Sequence, residues 1–410
     1  MKLMWTIPFL LLAFLLSACA AAGTPDVQGD DTDATPVIES ATETQDPTKA
    51  PSPTRDFEDD PPPGAEREFS TDFSKHSVSY SEIISGGPSK DVIPAIDDPV
   101  FISVDEADTW LVSVEPVIFV KVGEDARAYP IQILIWHEIV NDTVGNLPLT
   151  ITFCPLCNTA IVFEREVGGQ TFDFGTTGRL RNSNLIMYDR QTESWWQQAT
   201  GEAIVGELLG TQLDLYPGSI IAWSDFVGAF PDGKVLSKDT GFPRQYGKNP
   251  YYGYDDINNS PFLFRGDTPG QLSAMERVLA LETNGETVAY PYSILEDVRV
   301  VHDQVGGEEV VVFWNEGTAS PLDTTRISSG RDVGSAGAFS SILDGEKLTF
   351  SAQNDGTFKD GNTGSTWNIL GQAVSGSLEG KTLTQLTAVN HFWFDWVAFK
   401  PETRVYETVN

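Results

Sequence analysis

Two cysteines three positions apart, Cys154 and Cys157, stand in the run FCPLCNTA that starts at Phe153. Thiols at this spacing can hold a soft or borderline metal ion, cycle as a dithiol-disulfide couple, or close a short structural disulfide. The surrounding pattern reads strand, turn, strand, with no helix start behind Cys154 to lower a thiol pKa, so the pair differs from a thioredoxin-type motif. It looks more like one knuckle of a zinc ribbon. The second cysteine pair of a ribbon is missing, so a metal here must recruit imidazole or carboxylate ligands. His137, in WHEIVND, and His391, just before Phe392 and Trp393, are the imidazoles that fit. A disulfide between the cysteines closes a loop too short to contribute more than about 2 kcal/mol in the chain-entropy model. The leading expectation is therefore a Cu or Zn ion held by Cys154, Cys157, His137 and His391. Extracytoplasmic thiol-disulfide exchange, and a binding scaffold with an inert disulfide, stand as alternatives.

An internal repeat sharpens that choice of residues. At a constant offset of 161, Glu115 to Gly145 aligns without a gap to Glu276 to Gly306, and 11 of the 31 pairs are identical. At an offset of 171, Asp189, Thr192, Ser194 and Trp196 meet Asp360, Thr363, Ser365 and Trp367; at 170, Trp223, Asp225 and Pro231 meet Trp393, Asp395 and Pro401. A body made of two copies acts as its own control, because residues present in both serve the fold and residues present in one are free for chemistry. The Asp-x-x-Thr-x-Ser-x-Trp pattern falls in the first class, its Asp and Thr closing a turn and its Trp filling a core. The cysteines fall in the second, since Asn315 and Thr318 stand opposite them; Val298 stands opposite His137, Arg299 opposite Glu138, and Ile221 opposite His391. Two thiols and two imidazoles, each confined to one half, describe a single site near the junction of the halves.

The elements that must position this site read as mainly β, an α+β fold with few short helices, in two tandem β-rich repeats packed as a pseudo-twofold pair. Each repeat opens with an apolar strand, 117–122 or 278–283, followed by a short helix whose Tyr-Pro start suits a first turn. Residues 67–240 form an N-terminal arm and the first repeat, 241–261 an aromatic and Gly-rich linker whose rings pin the halves together, and 262–410 the second repeat. Regular helices of 10 to 15 residues between strands, which a parallel β/α sheet needs, do not appear. Gly175 to Arg179 lacks the glycine spacing and lysine of a phosphate loop and reads as a hairpin turn, and no nucleotide cofactor is expected. Lys90 and Asp91 read as an ion pair that packs the arm on the first repeat.

Residues 1–18 place Lys2 ahead of an apolar run too short to span a bilayer, and Leu16-Ser17-Ala18-Cys19 resembles the lipobox of bacterial lipoproteins. That resemblance implies cleavage before Cys19, diacylation of Cys19, and an extracytoplasmic protein anchored to the cell membrane or outer membrane. Residues 19–66 read as a disordered stalk, rich in Pro, Thr and acid and too poor in apolar groups to offset the entropy of ordering. A formal charge of -33, from 59 acidic and 26 basic residues, argues against nucleic-acid binding and against docking on anionic lipid. The chain has no Gly-x-Ser-x-Gly and no His-Glu-x-x-His to support a hydrolase.

Taken together, GGPSKDVIPAIDDP from Gly86, AYPIQILIWHEIVND from Ala128, FCPLCNTAIVF from Phe153, FGTTGRLRNSNLIMYDRQTESWW from Phe174 and HFWFDWVAFKPETRVY from His391 resemble domain of unknown function 3179, a family of secreted bacterial and archaeal proteins. The resemblance runs along nearly the whole body and brings no activity with it. It implies that His137, Glu138, Asn141, Asp142, Cys154, Cys157, Gly178, Asp189 and Trp196 belong to recurring motifs, which makes Glu138, Asn141, Asp142 and Asp189 the candidates to support the Cys and His groups. Two positions depart from the family pattern: Asn158 follows the second cysteine where Gly is usual, and Ser89 replaces a usual Pro.

Overall fold

The computed structural model describes residues 59–408. The signal segment, Cys19 and residues 20–58 of the stalk lie outside the described residues. Residues 59–66 do not behave as stalk: Ala65 is fully buried, and Asp59 accepts the Ser79 hydroxyl at 2.6 Å. Packing of the arm therefore begins earlier than its composition suggests.

The described chain is mainly β with six short helices, none of them long and apolar enough to cross a membrane. In the first half, β1 (Pro116–Val122) and β2 (Asp125–Pro130) form a hairpin. Pro130 has no N–H for a further ladder bond, and it serves as N-cap to α1 (Ile131–His137), one residue before the first-turn position expected of it. The helix ends at Glu138 with φ of 61°, a left-handed cap that turns the chain back into β3 (Ile139–Val144), β4 (Leu147–Cys154) and β5 (Thr159–Glu164), an antiparallel meander. A second hairpin, β6 (Phe174–Arg181) and β7 (Asn184–Asp189), follows. The half closes with β8 (Ser219–Ala222), α2 (Trp223–Ala229) and β9 (Lys234–Leu236).

The second half runs through β10 (Arg277–Thr283), β11 (Glu286–Pro291), α3 (Tyr292–Val298), β12 (Val300–Val305), β13 (Glu308–Asn315) and β14 (Ser335–Ser340). It ends with β15 (Ala388–Phe392), α4 (Trp393–Phe399) and β16 (Arg404–Val405). Pairing registers correspond between the halves. Val117 faces Pro130 and Ile221, as Val278 faces Pro291 and His391. Val235 runs parallel beside Ala128, as Val405 runs beside Ala289.

Strands also cross between the halves. β15 pairs with β5 at Asn390 and Ala160, joining first-half β3, β4, β5 and the short strand Leu215–Tyr216 beside β5 to second-half β10, β11, β15 and β16 in an eight-stranded sheet. Conversely, β8 packs beside β14. The apolar core is shared in the same way, with Val117, Phe119 and Trp223 packing in one cluster with Phe313, Phe339 and Trp367. Residues 241–261 bond to both sides: Tyr254 donates its hydroxyl to the carbonyl of Leu156 at 2.9 Å, and Asn249 donates to the carbonyl of Thr324 at 3.0 Å.

Candidate functional site

The Cys-Pro-Leu-Cys turn joins β4 to β5, with Cys154 paired to Thr159 and the Cys157 N–H donating to the Cys154 carbonyl at 3.2 Å. Asn158 follows with φ of 50°, a left-handed position that Gly and Asn occupy most readily. Both cysteines are buried and free. Their sulfurs face one acceptor, the carbonyl of Ser183, at 3.9 Å from Cys154 Sγ and 3.4 Å from Cys157 Sγ. Ser183 sits in the two-residue turn between β6 and β7, where Asn182 and Ser183 have φ of 53° and 70°. That is the mirror-image turn suited to hairpin twist, and a side chain in its second position is strained where Gly would not be. The Ser183 hydroxyl donates to the Phe262 carbonyl at 2.6 Å, tying the turn to the residue that follows the linker.

The second half brings an imidazole and a carboxylate to the same place. His391, on β15, and Asp395, in the first turn of α4, are both fully buried. His391 Nδ1 lies 2.7 Å from Asp395 Oδ2, and the Thr159 hydroxyl donates to that oxygen at 3.1 Å. Asn184 Nδ2 is a longer neighbour at 3.4 Å. His391 Nε2 and Asp395 Oδ1 are buried without a hydrogen-bond partner, a costly state that invites a functional account. Burial pushes the Cys157 thiol pKa up, and the neighbouring Cys154 and the Asp395 carboxylate push it further. The Phe392 N–H donates to the Cys157 carbonyl at 2.8 Å, so the backbone itself locks the two halves at this point.

The equivalent frame in the other half carries different groups. Asn315 pairs with Ser335 as Cys154 pairs with Thr159, and Asp225 on α2 stands where Asp395 stands on α4. Burial raises the Asp225 carboxyl to about 6 despite its bond with Asn315. The same backbone thus offers an amide and an aliphatic Ile221 on one side, and two thiols and an imidazole on the other.

Among the expected ligands, Cys154, Cys157 and His391 gather here, and His137 does not join them. His137 is fully buried with both ring nitrogens engaged, Nδ1 at 2.7 Å from the Pro94 carbonyl and Nε2 at 2.6 Å from the Tyr246 hydroxyl. Among the described residues no three His, Cys, Asp or Glu side chains form a metal-holding group. The expected four-ligand cage is therefore not assembled among the described residues, because His137 spends both ring nitrogens on Pro94 and Tyr246.

Of the supporting residues, Glu138 lies next to the site. Its carbonyl accepts the Phe153 N–H at 2.8 Å, burial alone lifts its carboxyl to about 8, and the Tyr251 hydroxyl feels both Glu138 and Cys154. Its counterpart Arg299 has φ of 59°, so the left-handed cap belongs to the fold while the acid does not. Asn141 instead binds Asp97 and the Phe174 carbonyl, both at 2.8 Å. Asp142 pairs with Arg127 at 2.6 Å and accepts the Tyr129 hydroxyl at 2.5 Å, as Asp303 accepts from Arg404 and Tyr290. Asp189 closes its own turn by accepting the Thr192 N–H at 2.6 Å and the Trp196 indole at 2.9 Å.

Gly175 to Arg179 forms neither a hairpin turn nor an anion nest: it is a bulge inside β6 between Thr176 and Arg179, needed because Gly178 passes under the Pro88 carbonyl. Lys90 and Asp91 do not pair with each other. Lys90 bonds Glu193 and lies over the Phe69 and Tyr188 rings, and Asp91 accepts the Tyr188 hydroxyl. Sequence reasoning missed Ser183, Thr159 and Asp395 as site residues. The Asn182-Ser183 turn left a weak signal, and Asp395 was screened out because Asp225 matches it.

The family described as "Protein of unknown function (DUF3179)" matches residues 90–403. No curated protein and no solved structure matches the chain.

Proposed function

The chain belongs to the DUF3179 family, and from the site alone we propose that it exchanges electrons with thiols and disulfides outside the cytoplasm. The observation that carries this reading is the convergence of two free thiols on the Ser183 carbonyl, with the Asp395 carboxylate beside Cys157 and His391 bonded behind it. With Cys157 beside the Asp395 carboxylate, Cys154 is the sulfur that attacks an incoming disulfide as thiolate, forms a mixed disulfide and expels one thiolate. Cys157 then gives its proton to Asp395 and attacks Cys154, closing the Cys154–Cys157 disulfide and releasing the second thiol. Two electrons pass to the partner. Anchoring through Cys19 and residence in the envelope, as the lipobox implies, put the couple in a compartment where such exchange operates.

The deciding experiment equilibrates the chain with glutathione buffers of graded potential, quenches with acid, and counts alkylated sulfurs by mass. Cys154 and Cys157 titrating together as a two-electron couple supports the reading. Sulfurs that stay reduced at every potential defeat it.

A second reading rests on a different observation. The unpartnered His391 Nε2 and Asp395 Oδ1 lie in the neighbourhood of two thiols, and a thiophilic ion such as Cu(I) or Zn(II) satisfies groups of this kind after modest rearrangement. Anaerobic titration with either ion, beside a Cys154→Ser/Cys157→Ser form, separates the readings. Equal uptake by both forms removes the metal.

A further inference from the structure

We propose that a second, separate cavity binds a small hydroxylated anion. This cavity of about 320 Å³ lies between the start of α1 and the linker, and its rim carries Lys238, Lys248 and Arg326. In a chain where acids outnumber bases 59 to 26, most cations on the body meet a carboxylate. These three form no ion pair among the described residues; Lys238 instead lies over the Trp110 ring at 4.4 Å. Three cations without an ion pair around one concavity, against a single carboxyl, Glu115, whose charge Lys238 feels, leave a positive potential there against the field of the whole molecule.

The floor supplies the complementary half. Glu115 is 4% exposed, and its Oε2 takes both available donors, the Val112 N–H at 3.2 Å and Gln132 Nε2 at 3.1 Å. Glu115 Oε1 and Gln132 Oε1 accept no hydrogen bond from any described residue, and both residues line the cavity. In the other half the corresponding Glu276 takes the Ser293 N–H on its Oε1 at 3.1 Å, whereas Glu115 takes both of its donors on Oε2. A rim that wants negative charge above a floor that wants hydrogen-bond donors selects a ligand with an anionic group at one end and hydroxyls at the other. The volume suits a three- to six-carbon molecule, at the small end of known ligand sites. Phosphate and carboxylate both meet the rim's chemistry.

The test is calorimetric titration of the purified full-length chain with glycerol 3-phosphate, glycerate, inorganic phosphate and glycerol. Saturable binding of glycerol 3-phosphate or of glycerate, at least about tenfold tighter than inorganic phosphate and with no heat from glycerol, supports the site and tells which anion it prefers. The Lys238→Ala/Arg326→Ala form then weakens binding at least about tenfold, while Lys359→Ala, an exposed lysine elsewhere, leaves it unchanged. The proposal falls if inorganic phosphate binds as well as the hydroxylated anions, if neither anion binds, or if the double variant binds as the parent does.

Discussion

Asp189 accepts the indole N–H of Trp196 at 2.9 Å, and Asp360 accepts that of Trp367 at 3.0 Å. Each Asp also takes the N–H and hydroxyl of the Thr three residues on, at 2.6 and 2.9 Å in both halves. A carboxylate with this many donors, repeated in both halves, is a turn staple that orients a fully buried tryptophan. Asp189→Asn and Asp360→Asn each replace an anionic acceptor with one weaker oxygen and a donor facing other donors, so each costs about 1–3 kcal/mol of stability. Denaturant unfolding measures the loss. Cysteine titration in the Asp189→Asn protein stays that of the parent; a large change there would place Asp189 in the chemistry after all.

Glu138 gives stability a pH dependence of defined sign. Its carboxyl titrates near 8 in the fold against a usual value of 4.5, so above 4.5 the unfolded chain releases a proton that the native state retains. Stability from this group is full below pH 4.5 and is lost as pH rises through 8, by on the order of a few kcal/mol. Glu115 and Asp225, raised to about 7 and about 6, add slopes of the same sign. Glu138→Gln cannot ionise, so its melting temperature falls less between pH 5 and pH 9 than the parent's. Parallel curves would show that Glu138 is charged in the native state.

Gly178 has φ of 70°, and a Cβ built there meets the Pro88 carbonyl oxygen at 2.1 Å. Backbone against backbone leaves no flexible side chain to give way. Gly178→Ala therefore lifts the N-terminal arm off β6 or strains the bulge, at about 2–4 kcal/mol. Limited proteolysis reads the result as faster cleavage near residues 85–92, with the remainder of the body protected. Unchanged cleavage would mean that the arm does not rely on this contact.

Local features carried most of what the sequence revealed. Apolar runs before Pro130 and Pro291 marked both hairpins and both helices, and an offset of 161 aligned them because the registers obey the same spacing. The exchange of strands between halves had no such mark. It depends on backbone groups, among them the Phe392 N–H and the Cys157 carbonyl, which every residue type possesses. Comparing copies put Asp189 with the fold, while the family resemblance still offered Asp142 and Asp189 as support for the site, and both spend their carboxylates on neighbours in their own half; the comparison also hid Asp395, whose type recurs as Asp225 while its surroundings differ. His137 misled for the opposite reason. Unique to one half, it nevertheless spends both nitrogens on Pro94 and Tyr246, the second a linker residue with no counterpart to compare.

Asp395 is the residue on which the sulfur chemistry can be tested most sharply, because its charge and its basicity act in opposite directions. The negative carboxylate beside Cys157 disfavours a second anion, so neutralising it in Asp395→Asn lowers the Cys157 pKa, though burial keeps it above that of a free thiol. The same substitution removes the group that receives the Cys157 proton during disulfide closure, and loss of a positioned base costs roughly 10²-fold or more in rate. A more acidic thiol paired with slower exchange is therefore the signature, and a merely structural Asp would give no such split. Carbon-13 labelling of the cysteine β-carbons follows the pKa, and stopped-flow reaction with glutathione disulfide follows the rate. Asp225→Asn, in the equivalent frame without sulfur, leaves both unchanged. If Asp395→Asn raises the Cys157 pKa, or leaves the exchange rate intact, the carboxylate is not the proton acceptor.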